Sequence, residues 1–250
     1  MIPLKDNIPA DRFPFVTVGL IAVNVVAYLL AIWHGGSFFG GPAPYEEVKY
    51  GAIPTVLTHC LTDHEVIAGS HILCTKSGGL PTWTTIFTAM FMHASFLHIA
   101  GNMLFLWIFG NNVEDAMGPV KYFFFYIVGG IAALALQVAI HPNELAPTLG
   151  ASGAIAAVLG GYILLYPRAR VLTLIFIILF FTVVELPAIV VLGFWFAAQI
   201  AFGAAGLTSP GASGGVAYFA HVGGFVFGLA TVRLLATRRR RQVPPRYPAY

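Results

Sequence analysis

Six apolar runs, each close to the length of a bilayer-crossing helix, dominate this chain of 250 residues. They fall near residues 14–33, 96–113, 119–140, 150–166, 187–205 and 218–236. A transmembrane helix takes about 20 mostly apolar residues. Within lipid each backbone N–H and C=O must be satisfied by the protein, so such runs become helices. The expected fold class is an all-α integral membrane bundle of six transmembrane helices spanning 14–236, with a long first outer loop over 34–95. Only 9% of the residues are charged, against roughly 25% in soluble domains, so a soluble globular domain is excluded.

The distribution of charge orients the bundle. Arg238, Arg239, Arg240 and Arg241 follow the last run, and Arg233 lies within its end. Arg168 and Arg170 follow the fourth run, and Lys121 separates the second from the third. The opposite loops keep Lys49 and Lys76 but hold Glu46, Glu47, Asp63, Glu65 and Glu144. By the positive-inside rule, the segment 1–13 and the basic tail 237–250 are cytoplasmic, which suits a multi-pass protein of the cell membrane. An arginine cluster beside a span fits anionic lipid better than nucleic acid, so lipids are expected partners and nucleic acid is not. Lys5, Asp6, Asp11 and Arg12 precede the first run, and no small-residue cleavage site follows it. The first span is therefore expected to stay uncleaved.

Two segments fit this scheme less simply. The loop 34–95 carries Phe38, Phe39, Tyr45, Tyr50 and Trp83, and partial helix at the outer interface is expected there. It also holds both cysteines, Cys60 and Cys74, a possible disulfide in an oxidising compartment. The stretch 171–186, VLTLIFIILFFTVVEL, is apolar but short, and Glu185 and Pro187 interrupt it. It reads as an interfacial or re-entrant segment, with the fifth span starting at Pro187. Counting it as a seventh span places the arginine tail outside.

Polar residues inside such runs are costly and mark function. Ser152 lies in Gly150-Ala-Ser-Gly153 at the head of the fourth span, where glycines permit close backbone approach and free helix N–H groups favour negative charge. The same four letters recur at Gly211–Gly214, with Ser213, but no apolar helix follows directly. His221 opens the sixth span, and Gly224 and Gly228 follow it in a small-xxx-small pattern. Ala156 and Gly160 offer the fourth span a matching face, so His221 Nε2 is expected within reach of Ser152 Oγ. A histidine there can accept the serine proton. No acid is well placed as a third member, which leaves a Ser–His dyad. His98 and Asn102, four residues apart on the second span, share one face and can both donate to an oxyanion, together with the Ser152 N–H. Ser95 can cap that helix. His93 is expected to brace the first loop by hydrogen bonding. His93, His98 and His221 also form a conceivable zinc set, but the spacing is not HExxH and no acid accompanies it. Neither metal nor cofactor is expected.

The ordered set His93-x4-His98-x3-Asn102, GASG around Ser152, and Ala220-His221-x2-Gly224-x3-Gly228 resembles rhomboid intramembrane serine proteases. The resemblance covers the core from about 14 to 236. It implies a six-helix core that hydrolyses transmembrane protein substrates near the outer membrane surface. It implies Ser152 as nucleophile, His221 as base, and His98 with Asn102 in the oxyanion hole. His93, Gly150, Gly153, Gly224 and Gly228 would support the site. Family members admit substrate by span five and the loop after it, which points here to Phe194, Trp195 and residues 206–217. Two positions depart from the pattern. Trp83-Thr84-Thr85 lacks the arginine of a common Trp-Arg pair, and Ala156 stands where an aromatic often packs on the base, so nothing in the sequence shows what orients His221. A catalytically inactive rhomboid-like protein that binds transmembrane clients is the alternative. A transporter or channel with histidine proton relays is a third reading, disfavoured because no carboxylate is expected to be well buried in a span.

Overall fold

The computed structural model describes residues 1–59, 81–177, 180–208 and 215–237. Strand β1 (Ile2–Asp6) precedes helix α1 (Phe15–Trp33). The loop that follows is partly helical, as expected: α2 (Pro44–Tyr50), α3 (Pro54–His59) and the one-turn α4 (Thr85–Thr88), flanked by 3-10 turns. A rod then runs from Phe96 to Met117 as α5 (Phe96–Phe105), a π turn (Leu106–Gly110) and α6 (Asn111–Met117). After it come α7 (Pro119–Ile140), α8 (Ser152–Leu165), strands β2 (Arg170–Ile177) and β3 (Phe180–Pro187), α9 (Ala188–Thr208) and α10 (Tyr218–Leu235).

The fold is a mostly helical membrane fold. Helices α1, α7, α9 and α10 are long and apolar enough to cross a bilayer, and Thr82–Phe91 with Phe96–Met117 forms a fifth unit bent by 76°. Helix α8 is shorter, with 14 residues. Helix occurs in each of the six stretches expected to span, but among the described residues only four, or five with the bent pair, meet the length and apolarity of a span.

Helix α8 is the centre. Its residues from Gly153 to Tyr162 are all buried, as expected of a helix that is apolar on every side. Helices α7 and α10 flank it at distances only glycine allows. A Cβ built on Gly224 would collide with the Gly153 carbonyl, one on Gly228 with the Ala157 carbonyl, and one on Gly160 with the Phe225 carbonyl. The small-xxx-small reading of these two helices is therefore realised as main chain against main chain.

The segment 171–186 departs from expectation. Its described residues are neither a span nor a loop but two strands of a three-stranded antiparallel sheet in the order β1-β2-β3. Arg170 pairs with Pro187 and Ile177 with Phe180 across the hairpin, while Ile2 pairs with Leu174 and Asp6 with Val171 on the other edge. Val, Ile, Thr and Phe fill both strands, and such β-branched and aromatic residues suit a pleated surface. The N-terminal segment is thus a strand held by the connection between α8 and α9. Met1 and Pro3 line a small cleft between α5 and α9, with Phe105, Val191, Phe194, Trp195 and Ala198.

Carboxylates are also better buried than expected. The second helix continues past 113 to Met117, which carries Glu114 and Asp115 inside, at 4% and 8% exposure. Glu114 caps the start of α1, accepting from Val16 N–H (3.0 Å), Thr17 N–H (2.8 Å) and Thr17 Oγ1–H (2.7 Å). Those amides belong to the first helical turn, which has no intrahelical acceptors, and the helix dipole favours a negative charge there. Asp6 Oδ2 accepts from Asn112 Nδ2 (2.7 Å) and from the Tyr162 hydroxyl near the C-terminal end of α8.

Candidate active site

The turn before α8 is held in place from the first loop. Thr148 and Ala52 exchange two backbone hydrogen bonds, of 2.8 and 2.9 Å, and Gly150 N–H donates to Ala89 O at 2.8 Å. Gly150 has φ +121°, a conformation that strains any residue with a side chain. A Cβ there would also stand 2.7 Å from His98 Nε2 and 3.6 Å from Ser152 Oγ. Histidine and serine therefore face a common space that the absent side chain leaves open. Ser152 is the first residue of α8.

Ser152 Oγ and His221 Nε2 lie 2.8 Å apart. Two contacts set this pairing. The glycine contacts fix the separation of α8 and α10. Gln137 on α7, itself buried, accepts from Ala220 N–H at 3.2 Å and so pins the first turn of α10.

The other face of the imidazole is occupied by a residue that the sequence reading did not single out. Gln199 Oε1 lies 2.7 Å from His221 Nδ1, and Gln199 Nε2–H donates to Trp195 O at 3.3 Å. The second bond decides the first. Turning the amide over would set its oxygen against the Trp195 carbonyl, so the oxygen faces the imidazole. Nδ1 must then carry the hydrogen and donate it. Nε2 is left as a lone pair, able to accept the Ser152 hydroxyl proton. The Trp195 ring lies over His221 with centroids 5.7 Å apart and planes 38° apart, and the Tyr218 ring meets it edge-on at 6.5 Å. An aromatic does pack on the histidine, supplied by α9 instead of the Ala156 position. The signal for Gln199 was an amide in the middle of an apolar span.

Ser95 caps α5 as expected, accepting from His98 N–H at 3.2 Å. Asn102, one turn further on the same face, is buried, and its Nδ2 has no partner among the described residues. His93 is completely buried and packs edge-on against His98, with centroids 5.1 Å apart. Gly153 is also required, since a Cβ would meet Ala133 Cβ at 2.7 Å. Of the two residues that the resemblance suggests as a substrate gate, Phe194 is 61% exposed, whereas the Trp195 ring lies on His221. Cys60, Cys74, Ser213 and part of 206–217 lie outside the described residues.

A Rhomboid domain matches residues 81–238, a stretch that contains every residue of this cluster. Rhomboid protein 1, mitochondrial, of Saccharomyces cerevisiae is 32% identical over 151 residues, covering 58% of this chain and 40% of that protein. Rhomboid-like protein 11, chloroplastic, of Arabidopsis thaliana is 36% identical over 75 residues, covering 30% and 26%. The human presenilin-associated rhomboid-like protein, mitochondrial, is 32% identical over 92 residues, covering 36% and 24%. The matches thus span well under half the length of these relatives.

Proposed function

The chain belongs to the rhomboid family, and from that premise we propose that it is a serine endopeptidase that cuts transmembrane segments of other proteins within the bilayer. The observation that carries this reading is the Ser152–His221 hydrogen bond of 2.8 Å, with the lone pair of Nε2 turned to the hydroxyl. In this reading Ser152 Oγ attacks a substrate carbonyl while His221 Nε2 takes its proton. The oxyanion is received by His98, Asn102 and the Ser152 N–H at the start of α8. In support, the Asn102 Nδ2 donor has no other partner among the described residues. His221 then protonates the leaving amine, and water hydrolyses the acyl-enzyme by the reverse use of the same base.

Substrates are transmembrane proteins whose helices unwind locally, because a helical peptide bond is shielded. Small or helix-breaking residues near the cut favour this. Phe194 and Trp195 on α9 flank the way in. All six helices cross the membrane in this reading, α8 as a short inner one, in the cell membrane, with both termini cytoplasmic and the site toward the outer side. A membrane-crossing helix needs no charged partner, and lipids surround the exposed apolar faces.

A fluorophosphonate probe on the detergent-solubilised protein tests the reading. Labelling that is lost in Ser152→Ala and in His221→Ala, but kept in Ser213→Ala, is the expected result. A folded wild-type protein that neither labels nor cleaves any of a panel of transmembrane segments would be a client binder, not a protease.

A further inference from the structure

We infer that Gln199 is a positioning residue for the base: its side-chain amide selects the His221 tautomer that can accept the Ser152 proton. The inference rests on the protease reading for its kinetic consequence, but its structural part stands on the geometry alone.

The geometry is a chain of oriented groups. Trp195 O accepts from Gln199 Nε2–H, Gln199 Oε1 accepts from His221 Nδ1–H, and His221 Nε2 faces Ser152 Oγ. Gln199 is 9% exposed, so water does not readily substitute for either bond. A neutral imidazole has two tautomers, and only the one protonated on Nδ1 leaves Nε2 able to accept. Without an acceptor at Nδ1, no other contact among the described residues selects between them. Trp195 and Tyr218 hold the plane of the ring, but ring faces and edges do not distinguish its nitrogens.

An amide also suits this depth better than a carboxylate. Both accept from Nδ1–H, but a buried carboxylate carries a large desolvation cost in a membrane-embedded bundle. The difference has a readable consequence. A carboxylate beside the ring stabilises the imidazolium, whereas an amide oxygen does so less. Replacing Gln199 with glutamate should therefore keep the tautomer and move the protonation of His221 to higher pH.

The test compares Gln199→Met, which keeps length and apolarity but removes the acceptor, with Gln199→Glu, which keeps the acceptor. Cleavage of a transmembrane substrate is followed against pH, and fluorophosphonate labelling against time. The ring nitrogens of His221, assigned with His221→Ala, are observed by 15N NMR. For Gln199→Met we expect kcat to fall by about 10²-fold at an almost unchanged KM, with labelling slowed to match. The His221 signals should move from the Nδ1–H form towards a mixture. For Gln199→Glu we expect activity within about 10-fold of wild type, with the acid limb of the pH profile shifted upward. A purely structural role predicts that both variants lose activity together, with no displacement of that limb and no change of tautomer. That result would overturn the inference while leaving the protease reading intact. If the wild type neither cleaves nor labels, the protease reading fails, and the NMR comparison still decides whether Gln199 selects the tautomer. Should Gln199→Met not fold, the pH shift and tautomer of Gln199→Glu carry the decision, and an unshifted limb refutes the assignment.

Discussion

The two ends of α8 carry polar clusters of opposite character. At the C-terminal end the groups satisfy one another. Tyr162 and Asn112 both donate to Asp6, and Tyr166 donates to Asn112 O at 3.3 Å. At the N-terminal end, Asn102 Nδ2 and both nitrogens of His93 are buried without partners among the described residues, and Ser152 and His221 make one short contact. Buried polar groups that are fully paired rigidify a fold, whereas unpaired ones carry a cost that stability does not explain. The first cluster holds strand β1 against the bundle. In the proposed reading, the second keeps the Asn102 donor available for a substrate oxyanion.

This contrast can be broken in order of effect. Ser152→Ala and His221→Ala should each lower substrate cleavage by at least about 10³-fold, with Tm nearly unchanged, measured side by side in one detergent. A large drop in Tm would show that this end is structural as well. At the other end, Asp6 should govern stability against pH. Burial pushes its carboxyl up from 3.8 to about 6, against the opposing bond from Tyr162. The fold therefore holds this proton more tightly than the unfolded chain does. The stabilisation is complete below about pH 4 and lost as pH rises through about 6. Wild-type Tm should fall across that window by the equivalent of about 3 kcal/mol at most, and Asp6→Asn should flatten the slope. A slope that survives in Asp6→Asn would move the effect to another group.

Smaller effects sharpen the same contrast. Gly228→Ala places a Cβ against the Ala157 carbonyl. It should cost about 1–3 kcal/mol and lower cleavage as well, because the two helices it separates carry Ser152 and His221. Thr17→Val removes one of three bonds to Glu114. It should cost about 1 kcal/mol in thermal unfolding and leave cleavage unchanged.

The positions of the long apolar helices were legible because apolar length is a strong signal, and so was the meeting of Ser152 with His221, because glycine spacing on both helices predicts close approach. The hairpin was not. Residues 171–186 are apolar on both faces, so the alternation that marks a half-buried strand is missing, and an apolar run of that length reads equally as helix. Glu114 and Asp115 were missed because the apolar run ends near 113 while the helix continues to Met117. Gln199 was missed because an acid was sought as the partner of His221. An amide in an apolar helix serves that place, and only the fold brings it there from 22 residues away.

The contacts of α8 with α10 have a consequence for how the molecule answers to its solvent. At 14 residues, α8 is about 21 Å long, shorter than a hydrocarbon core of about 30 Å. It is shielded from lipid by its neighbours along nearly its whole length. Bilayers differ in thickness, and helices that face lipid tilt to match. Helices α1, α7, α9 and α10 have the length to feel such a mismatch directly. The separation of Ser152 from His221 is instead set by carbonyls resting on glycine Cα atoms between α8 and α10. A change of membrane thickness is therefore expected to tilt α10 together with α8 before it alters the spacing between the two.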